Sequence, residues 1–267
     1  MNKELSGLST INVELTSRCN KNCWMCGRRK VDREYPELAL EYGDMDFSLL
    51  KIIAEQLPKG IVTQFHRDGD ALLYPHLGDA LRLFPHNIRN IVTNGKLLVE
   101  KADELIDNIE TLSISIFEGD TEAEEQREIL ERFLVLKKDR KPYVTLRLIG
   151  DVSSEPYEKH GLTFVRRVLH AAMGSFSYVK RMPTIPEIGI CWDFLQHACI
   201  NHKGDFSICV RFDPQRLGVL GNIKSESLYD MWHGEKRTAW MDSHIKGQRN
   251  EVPLCTQCEY WGVPISP

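Results

Sequence analysis

The sequence lacks several features that would define the class of the protein at once. It has no apolar run long enough to cross a membrane, and its first ten residues, MNKELSGLST, lack the apolar core of a secretory signal peptide. We also find no internal repeat and no low-complexity segment. We therefore expect a cytoplasmic protein with no membrane partner, built as one large domain or as one domain with a smaller appendage.

A surplus of basic residues is also absent. The 267 residues include 34 Lys and Arg against 38 Asp and Glu, which gives a net charge of −4, and the basic residues are dispersed. Because a nucleic-acid-binding domain normally carries a basic patch, we expect no nucleic-acid partner. Cysteine, in contrast, occurs eight times. In a reducing compartment these cysteines are expected to be metal ligands or catalysts rather than disulfides.

Strand-like and helical segments alternate from residue 11 to about residue 182. We predict helices between the strands, including one near GLTFVRRVLHAAM, and six strands in the segments INVELT, GIVTQFH, IRNIVTNG, TLSISIF, VTLRLI and FSYVKRM. Six βα-like units predict an α/β fold with parallel strands and right-handed crossovers, as a barrel or an open sheet. In such folds the functional side chains lie at the carboxyl ends of the strands.

The alternation stops near RMPTIPEIGI, where two prolines interrupt it. Residues 191 to 267 contain five of the eight cysteines, and the turn HKGDF between two short apolar runs predicts a hairpin. We therefore divide the chain into a barrel-like domain, residues 1–183, and a small cysteine-rich domain, residues 184–267.

Three cysteines, Cys19, Cys23 and Cys26, fall in the segment CNKNCWMC directly after the first predicted strand. Their spacing would place them on one face of a helix, so they could be small buried residues. The polar residues between them and the following GRRK instead favour an exposed basic loop that holds a metal centre. Because structural zinc and ordinary iron–sulfur sites use four protein ligands, either a fourth ligand comes from elsewhere or one metal position is left open.

This segment resembles the C-x3-C-x2-C signature of the radical S-adenosylmethionine (radical SAM) superfamily, which follows the first strand of a partial (β/α)6 barrel. The resemblance implies that Cys19, Cys23 and Cys26 bind three irons of a [4Fe–4S] cluster, and that the fourth iron binds S-adenosyl-L-methionine. It also implies formation of a 5′-deoxyadenosyl radical that removes a hydrogen atom from substrate. A flavodoxin- or ferredoxin-type electron donor is expected as a partner.

Further family landmarks follow in the expected order. RDGDALLYP resembles the family's Gly-Gly-Glu-Pro segment, with Gly69 and Asp70 at its Gly-Glu positions, and TNG follows the third strand. The resemblance implies cofactor-binding roles for Gly69, Asp70, Asn94, Ser115 and Arg127, with Arg147 as the rival of Arg127 for the carboxylate of the cofactor. Each of these residues also has an ordinary alternative as a turn, strand or solvated helix residue.

The second set of cysteines resembles the twitch form of the SPASM extension of radical SAM enzymes. That resemblance implies a second, auxiliary [4Fe–4S] cluster, with Gly204 in the hairpin turn between the first two of its four ligands, Cys191, Cys209, Cys255 and Cys258. The C-x2-C pair at residues 255 and 258 would suit zinc equally well, and spacing alone leaves both metals open.

Cys199 remains outside both sets. It is either a small buried residue or a thiol that donates a hydrogen atom to a substrate radical, as in some epimerases of the superfamily. Cysteine spacing and length resemble the 2-deoxy-scyllo-inosamine dehydrogenase-like members of the superfamily. We therefore predict an oxidoreductase or epimerase that acts on a small hydroxylated substrate, namely a sugar, an aminocyclitol or a nucleoside. His66, Arg67, Glu118 and Arg147 are candidate polar contacts at the strand ends.

Three alternatives remain: a maturase or epimerase of a ribosomally made peptide that works with a separate recognition partner, an iron–sulfur electron carrier, and a zinc-stabilised binding module. The carrier does not explain a three-cysteine site beside the DGD and TNG segments. The zinc module does not explain why one site should be incomplete.

Overall fold

The computed structural model describes residues 4–167, 190–256 and 258. Within these residues, six parallel strands follow one another: β1 (Thr10–Val13), β2 (Val62–Phe65), β3 (Ile88–Thr93), β4 (Thr111–Phe117), β5 (Tyr143–Ile149) and β6 (Thr163–Arg167). Three shorter strands come later: β7 (His197–Ile200), β8 (Asp205–Ser207) and β9 (Val219–Asn222). All belong to one sheet, in the spatial order β6-β5-β4-β3-β2-β1-β7-β8-β9.

Helices occupy most of the connections between the strands. Those of the barrel region are α1 (Gly27–Glu34), α2 (Phe47–Gln56), α3 (Leu77–Arg82), α4 (Ala102–Leu105), α5 (Ala123–Lys137) and α6 (Glu155–Glu158). Those of the C-terminal region are α7 (Trp192–Gln196), α8 (Leu228–Trp232) and α9 (Glu235–Ile245). Short 3-10 helices lie at Pro36–Leu38, Ala71–Leu73 and Arg249–Glu251. Among the described residues, no helix combines the length and the apolar character needed to cross a membrane.

The two faces of the barrel strands differ because side chains alternate along a strand. In β4, Leu112, Ile114 and Ile116 are buried in the main hydrophobic core, to which Leu130 and Phe133 of α5 also belong. The intervening side chains of β4 and β5 point to the opposite, concave face, where several of them line a cavity: Ser113, Thr145, Arg147 and Ile149. The alternation that builds the core therefore also gives the inside of the barrel its polar lining.

The sixth parallel strand differs from the sequence-based expectation. We expected a helix near residues 161–173 and a strand at 176–182, but β6 is formed by Thr163–Arg167 and pairs with β5 from Thr145 to Ile149. Gly161, with a φ of +62°, ends the preceding turn, and the β-branched and aromatic residues TFV then add to the open edge of β5. The helix prediction was wrong here; the segment 176–182 lies outside the described residues.

The C-terminal region joins the barrel sheet directly. β7 pairs in parallel with β1, so that Cys199 is opposite Asn12, and β7 and β8 form the predicted hairpin. Gly204 in its turn has a φ of +91°, and a Cβ atom there would lie 2.9 Å from a side-chain carbon of Ile223. Glycine is therefore required at this position. The predicted boundary between residues 183 and 184 falls outside the described residues and stays a prediction.

Candidate functional site

The loop with Cys19, Cys23 and Cys26 connects the carboxyl end of β1 to α1. Cys26 is the N-cap residue of α1, and its backbone N–H donates a hydrogen bond to the carbonyl of Cys23 at 3.1 Å. Burial raises the pKa of Cys19, and burial together with the negative charges of Cys26 and Cys19 raises the pKa of Cys23 to about 12. The three thiols are thus close enough to influence one another. Each of them is half-buried.

Basic side chains hold this loop against the barrel. Lys21 is buried, and its ammonium lies 2.6 Å from Oδ2 of Asp120. Arg29 donates a hydrogen bond to the carbonyl of Cys19 at 3.0 Å. The indole N–H of Trp24 donates to the carbonyl of Glu118 at 2.8 Å. These contacts connect the loop to the segment between β4 and α5.

Gly69 and Asp70 lie directly behind the cysteine loop. A Cβ atom on Gly69 would come 2.1 Å from the carbonyl oxygen of Thr16 and 2.6 Å from that of Arg18, so no other residue fits without moving the backbone. The backbone N–H of Asp70 donates to the carbonyl of Arg18 at 2.8 Å. The loop after β2 therefore packs tightly against the entry to the cysteine loop.

The carboxylate of Asp70 is used within the protein. It accepts hydrogen bonds from Oγ1 of Thr93 at 2.8 Å, the backbone N–H of Asn94 at 2.8 Å and the backbone N–H of Leu72 at 3.0 Å. Burial raises its pKa, and these hydrogen bonds oppose that effect. The side chain thus fixes the loop after β3 to the loop after β2.

Asn94 and Ser115 meet at the carboxyl ends of β3 and β4 through a residue that sequence reasoning missed. The buried side chain of Gln126 donates to the carbonyl of Asn94 at 2.5 Å and to that of Ser115 at 2.9 Å. The amide of Asn94 donates to Oδ1 of Asn20 at 2.8 Å and lies 3.8 Å from Sγ of Cys19. A signal was present, because Gln126 precedes the buried Leu130 by one helical turn.

Arg127, the neighbour of Gln126 on α5, points elsewhere. Its guanidinium forms an ion pair with Glu124 on the same helix, and this pair raises the pKa of Arg127. The structure therefore groups Gly69, Asp70, Asn94 and Ser115 around the cysteine loop and leaves Arg127 committed to a different contact.

A cavity of about 570 Å³ occupies the concave side of the sheet. It lies between the inner faces of the barrel strands and the C-terminal region, because residues of both line it: Thr10, Asn12, Gln64, His66, Arg67, Asp68, Val92, Ser113, Thr145, Arg147, Ile149, Val165, Arg167, Asp193, Gln196, His197, Val210, Arg211 and Phe212. Of the polar candidates named from sequence, His66, Arg67 and Arg147 belong to this lining. Glu118 does not; its carboxylate accepts from the backbone N–H of Asp151 at 2.7 Å.

Burial changes the charge states in the cavity. It lowers the pKa of His66 to about 3, with the charge of Arg147 acting in the same direction, so His66 is neutral at pH 7. It raises the pKa of Asp68 to about 6, against the charge of Arg67, whose Nε lies 3.5 Å from Oδ2 of Asp68. Oδ1 of Asn12 accepts a hydrogen bond from Nε2 of His197, and Nδ2 of Asn12 donates to the carbonyl of His66 at 2.7 Å. These contacts connect β1 to β7 and to the residue that follows β2.

The four cysteines of the C-terminal set come together around a small hydrophobic cluster. Cys255 is buried in it with Phe194, Ile208 and Val252, and Cys191 and Cys209 pack against it. Burial, followed by the charges of Cys258 and Cys191, raises the pKa of Cys255 to about 12. Burial raises the pKa of Cys209 in the same way, with a contribution from Cys191. Residues far apart in sequence therefore meet as one thiol-rich site.

Cys199 lies apart from both groups. It is fully buried on β7, opposite Asn12 of β1, and it does not line the cavity. Burial raises its pKa to about 12, which the nearby charge of Arg67 opposes. A thiol with this pKa stays protonated at neutral pH.

Both sets of cysteines fit iron–sulfur clusters by the chemistry of their donors. Within residues 4–167, 190–256 and 258, however, no three His, Cys, Asp or Glu side chains lie close enough together to hold a metal ion. The donors are nevertheless all thiols, half-buried or buried, and each set shares one small region in which the thiols raise one another's pKa values. Thiolates are the ligands that iron–sulfur clusters require.

Comparison with known proteins agrees with this donor chemistry. The family model SPASM, described as an iron–sulfur cluster-binding domain, matches residues 191–259. The S-adenosyl-L-methionine-dependent 2-deoxy-scyllo-inosamine dehydrogenase of Niallia circulans is 24% identical over 258 residues, which cover 94% of this chain and 92% of the relative. The tungsten-containing aldehyde ferredoxin oxidoreductase cofactor-modifying protein of Pyrococcus furiosus is 32% identical over 109 residues, 39% of this chain and 28% of the relative.

Solved structures with the same fold include BtrN in complex with AdoMet and 2-DOIA, with a TM-score of 0.63 at 22% identity over 94% of this chain and 92% of that chain. Streptococcus suis SuiB bound to S-adenosylmethionine has a TM-score of 0.63 at 13% identity, covering 95% of this chain and 72% of that chain. The chain combines a sheet with thiols at the carboxyl end of its first strand and a C-terminal segment that matches an iron–sulfur cluster-binding domain. Residues 191–259 thus match the SPASM domain, and the chain as a whole shares the fold of BtrN and SuiB. The cofactor that the matched domain description names is an iron–sulfur cluster, and S-adenosyl-L-methionine is named for the Niallia circulans relative and for the BtrN and SuiB structures.

Proposed function

We propose that this chain is a radical SAM enzyme that abstracts a hydrogen atom from a C–H group of a small hydroxylated molecule, such as a sugar, an aminocyclitol or a nucleoside, with dehydrogenation or epimerisation as the outcome. S-adenosyl-L-methionine bound to the cluster of Cys19, Cys23 and Cys26 supplies the 5′-deoxyadenosyl radical for that reaction. The observation that carries the proposal is the cavity of about 570 Å³ inside the barrel, a volume that suits a small molecule.

The neutral polar lining of this cavity supports a hydroxylated substrate. Four strands, β1, β2, β4 and β5, contribute uncharged polar side chains to it: Thr10, Asn12, Gln64, Ser113 and Thr145. Hydroxyl and amide side chains both donate and accept hydrogen bonds, which is what the hydroxyl groups of a polyol require.

We further propose that Gly69, Asp70, Asn94 and Ser115 surround the cofactor. The lack of a side chain at Gly69 supports a close approach of the backbone to the cofactor. The Asp70 carboxylate accepts three hydrogen bonds from the protein, so it would act by holding the loop after β3 against the loop after β2. Arg127 would have to leave Glu124 to contact the cofactor.

Cys191, Cys209, Cys255 and Cys258 are proposed as ligands of the auxiliary [4Fe–4S] cluster. Their shared burial beside Phe194 and Val252 supports a closed site with four protein ligands. A flavodoxin- or ferredoxin-type protein remains the proposed electron donor.

A second candidate function is modification of a ribosomally made peptide, aided by a separate recognition partner. It is favoured by the likeness to Streptococcus suis SuiB, which has been solved bound to the precursor peptide SuiA, with a TM-score of 0.63 at 13% identity. Epimerisation would require a hydrogen-atom donor. Cys199 could be that donor only after a conformational change that exposes its thiol, which is fully buried.

Isotope transfer tests the proposal. The reconstituted enzyme is incubated with S-adenosyl-L-methionine, dithionite and a panel of per-deuterated sugars, aminocyclitols and nucleosides, and 5′-deoxyadenosine is analysed by mass spectrometry. We expect deuterium in 5′-deoxyadenosine with at least one panel member, and none with Cys23→Ala. Transfer from a deuterated peptide and from no small molecule would favour the second candidate; absence of 5′-deoxyadenosine from every reaction would refute both.

A further inference from the structure

The cavity lining carries more arginines than carboxylates. Among the described residues that line it there are four arginines and two aspartates: Arg67, Arg147, Arg167, Arg211, Asp68 and Asp193. Because the pKa of His66 is lowered to about 3, this histidine adds no positive charge at pH 7. The charged neighbours of each arginine show which of the positive charges are paired with an acid.

Arg67 faces several acids. Its Nε lies 3.5 Å from Oδ2 of Asp68, and although burial acts to lower the pKa of Arg67, the charges of Asp68, Glu14 and Asp213 act to raise it. At the other side of the cavity, Asp193 is the acid: the charges of His197, Arg211 and Arg167 favour its ionised form, and its Oδ1 lies 3.7 Å from Nδ1 of His197. One aspartate thus faces two arginines there.

Arg147 is different, because the structure gives it no hydrogen bond and no ion pair within the part of the chain that it describes. It is half-buried on β5, and its only charged neighbour with a resolved effect is another arginine. Burial, followed by the charge of Arg167, lowers the pKa of Arg147 to about 10, so the guanidinium is still protonated at pH 7. The barrel interior therefore contains a cation with no counter-charge.

Such an arrangement is unfavourable without a ligand. A buried charge is costly unless it is paired and hydrogen-bonded, and an arginine cannot escape the cost by losing its proton at neutral pH. The planar guanidinium matches a carboxylate or a phosphate, to which it can donate two parallel hydrogen bonds. An anion placed beside Arg147 would offset its charge.

Arg147 also belongs to the cavity rather than to the cysteine loop. None of residues 19–26 lines the cavity, and neither Asn94 nor Ser115 does, whereas Thr145 and Ile149 on either side of Arg147 on the same strand face do so. An anion bound by Arg147 would therefore lie in the cavity, where the substrate is proposed to bind.

We propose that the substrate carries an anionic group, a carboxylate or a phosphate ester, and that Arg147 binds it. This inference rests on the proposed function and narrows its substrate class. The substrate named for the Niallia circulans relative is an amine. An ammonium group would be repelled by this lining, so the two enzymes differ in the charge of the substrate they accept.

Binding of matched probes tests the proposal. Reconstituted enzyme with bound S-adenosyl-L-methionine is titrated calorimetrically with glucuronate, glucose 6-phosphate and glucose. We expect at least one anionic probe to bind about tenfold or more tighter than glucose, since a hydrogen bond to a charged group contributes on that scale. The stronger of the two anions identifies carboxylate or phosphate. In Arg147→Gln the preference is lost, and in Arg147→Lys it is partly retained.

Arg166→Gln is the matched control. Arg166 lies on β6, exposed, with its guanidinium donating to the carbonyl of Val152 at 3.1 Å. Its replacement should leave the preference for anions intact. Thermal melting adds a readout of folding: Arg147→Gln should melt no lower than the wild type, because it removes an uncompensated buried charge.

The proposal would be overturned if the wild type bound all three probes with equal affinity, or if Arg147→Gln had a lower melting temperature than the wild type. It would also be overturned if Arg147→Gln bound S-adenosyl-L-methionine more weakly, because that result would assign this arginine to the cofactor. Failure of the proposed function would be recognised separately, because the wild type would then form no 5′-deoxyadenosine with any hydroxylated substrate.

Discussion

Replacing Lys21 by methionine tests how strongly the cysteine loop is tied to the barrel. The Lys21 ammonium lies 2.6 Å from Asp120 and 3.5 Å from Glu122, and the side chains of Lys21 and Asp120 are each only 3% exposed. The same ammonium lies 4.8 Å from the ring centroid of Phe117. Methionine keeps most of the aliphatic stem in place and removes the charge, so that Asp120 is left buried without its cation.

Removing one partner of a buried ion pair costs about 3–5 kcal/mol, because the other charge remains uncompensated. Asp120 retains one hydrogen bond, from the backbone N–H of Glu122 at 3.0 Å. We therefore expect the lower end of that range, a loss of about 3 kcal/mol in the free energy of unfolding. For a chain of this size that corresponds to a decrease of roughly 6–12 °C in melting temperature.

Urea denaturation of the cluster-free chain measures this loss, and iron content after reconstitution shows whether the loop still binds a cluster. The double variant Lys21→Met/Asp120→Asn should recover much of the stability, because it removes the stranded charge. Lys96→Met is the control: Lys96 lies 3.0 Å from Glu122, but the two side chains are 22% and 36% exposed, so we expect a cost below about 1 kcal/mol. If Lys21→Met costs as little as Lys96→Met, the buried pair does not hold the loop.

Three further predictions concern the loops and the cavity. Gly69→Ala should lower the affinity for S-adenosyl-L-methionine and the melting temperature, because its Cβ would collide with the carbonyl of Thr16; an unchanged melting curve would contradict this. The pKa of His66, about 3, lies below that of the unfolded chain, about 6.5, so the unfolded chain binds more protons at pH 5 and acid destabilises the wild type. Urea titrations at pH 7 and pH 5 should show that the wild type loses about 1–2 kcal/mol more of its free energy of unfolding than His66→Gln does. Gln126→Leu should weaken the binding of S-adenosyl-L-methionine measured by equilibrium dialysis, whereas Arg127→Gln should change this affinity less than about twofold. A larger loss of affinity in Arg127→Gln than in Gln126→Leu would assign the cofactor contact to Arg127.

The strands that sequence reasoning predicted best are those in which the alternation is strongest. TLSISIF coincides with β4 and VTLRLI lies within β5, because one face of each is buried and the other faces the cavity. The segment TFVRR was expected in a helix but forms β6, whereas the strand predicted at residues 176–182 stays a prediction. TFVRR is too short to show its period clearly, and it becomes a strand by pairing with the open edge of β5.

The candidate site likewise contains residues that a local sequence pattern indicates and residues whose role depends on long-range contacts. The cysteines could be predicted as two groups of ligands, the first from its local spacing and the second from its resemblance to a family pattern, and Gly69 could be singled out because it stands in a turn motif. Gln126 was missed, since its role consists of hydrogen bonds to the backbone of two residues that are remote in sequence. The commitment of Arg127 to Glu124 could not be read from the sequence for a related reason: neighbouring positions on a helix point in different directions.

The sequence by itself determined the positions of the cysteines along the chain, including the three within eight residues, and the two-residue alternation that makes one face of the barrel strands apolar. Covalent geometry sets these features within a few residues. Only the tertiary structure decided that β7 lies beside β1, and that Arg147 shares a cavity with Arg167 and Asp193. Those contacts join residues far apart in the chain, and they arise because the strands must pair and bury their apolar faces together, which no local pattern specifies.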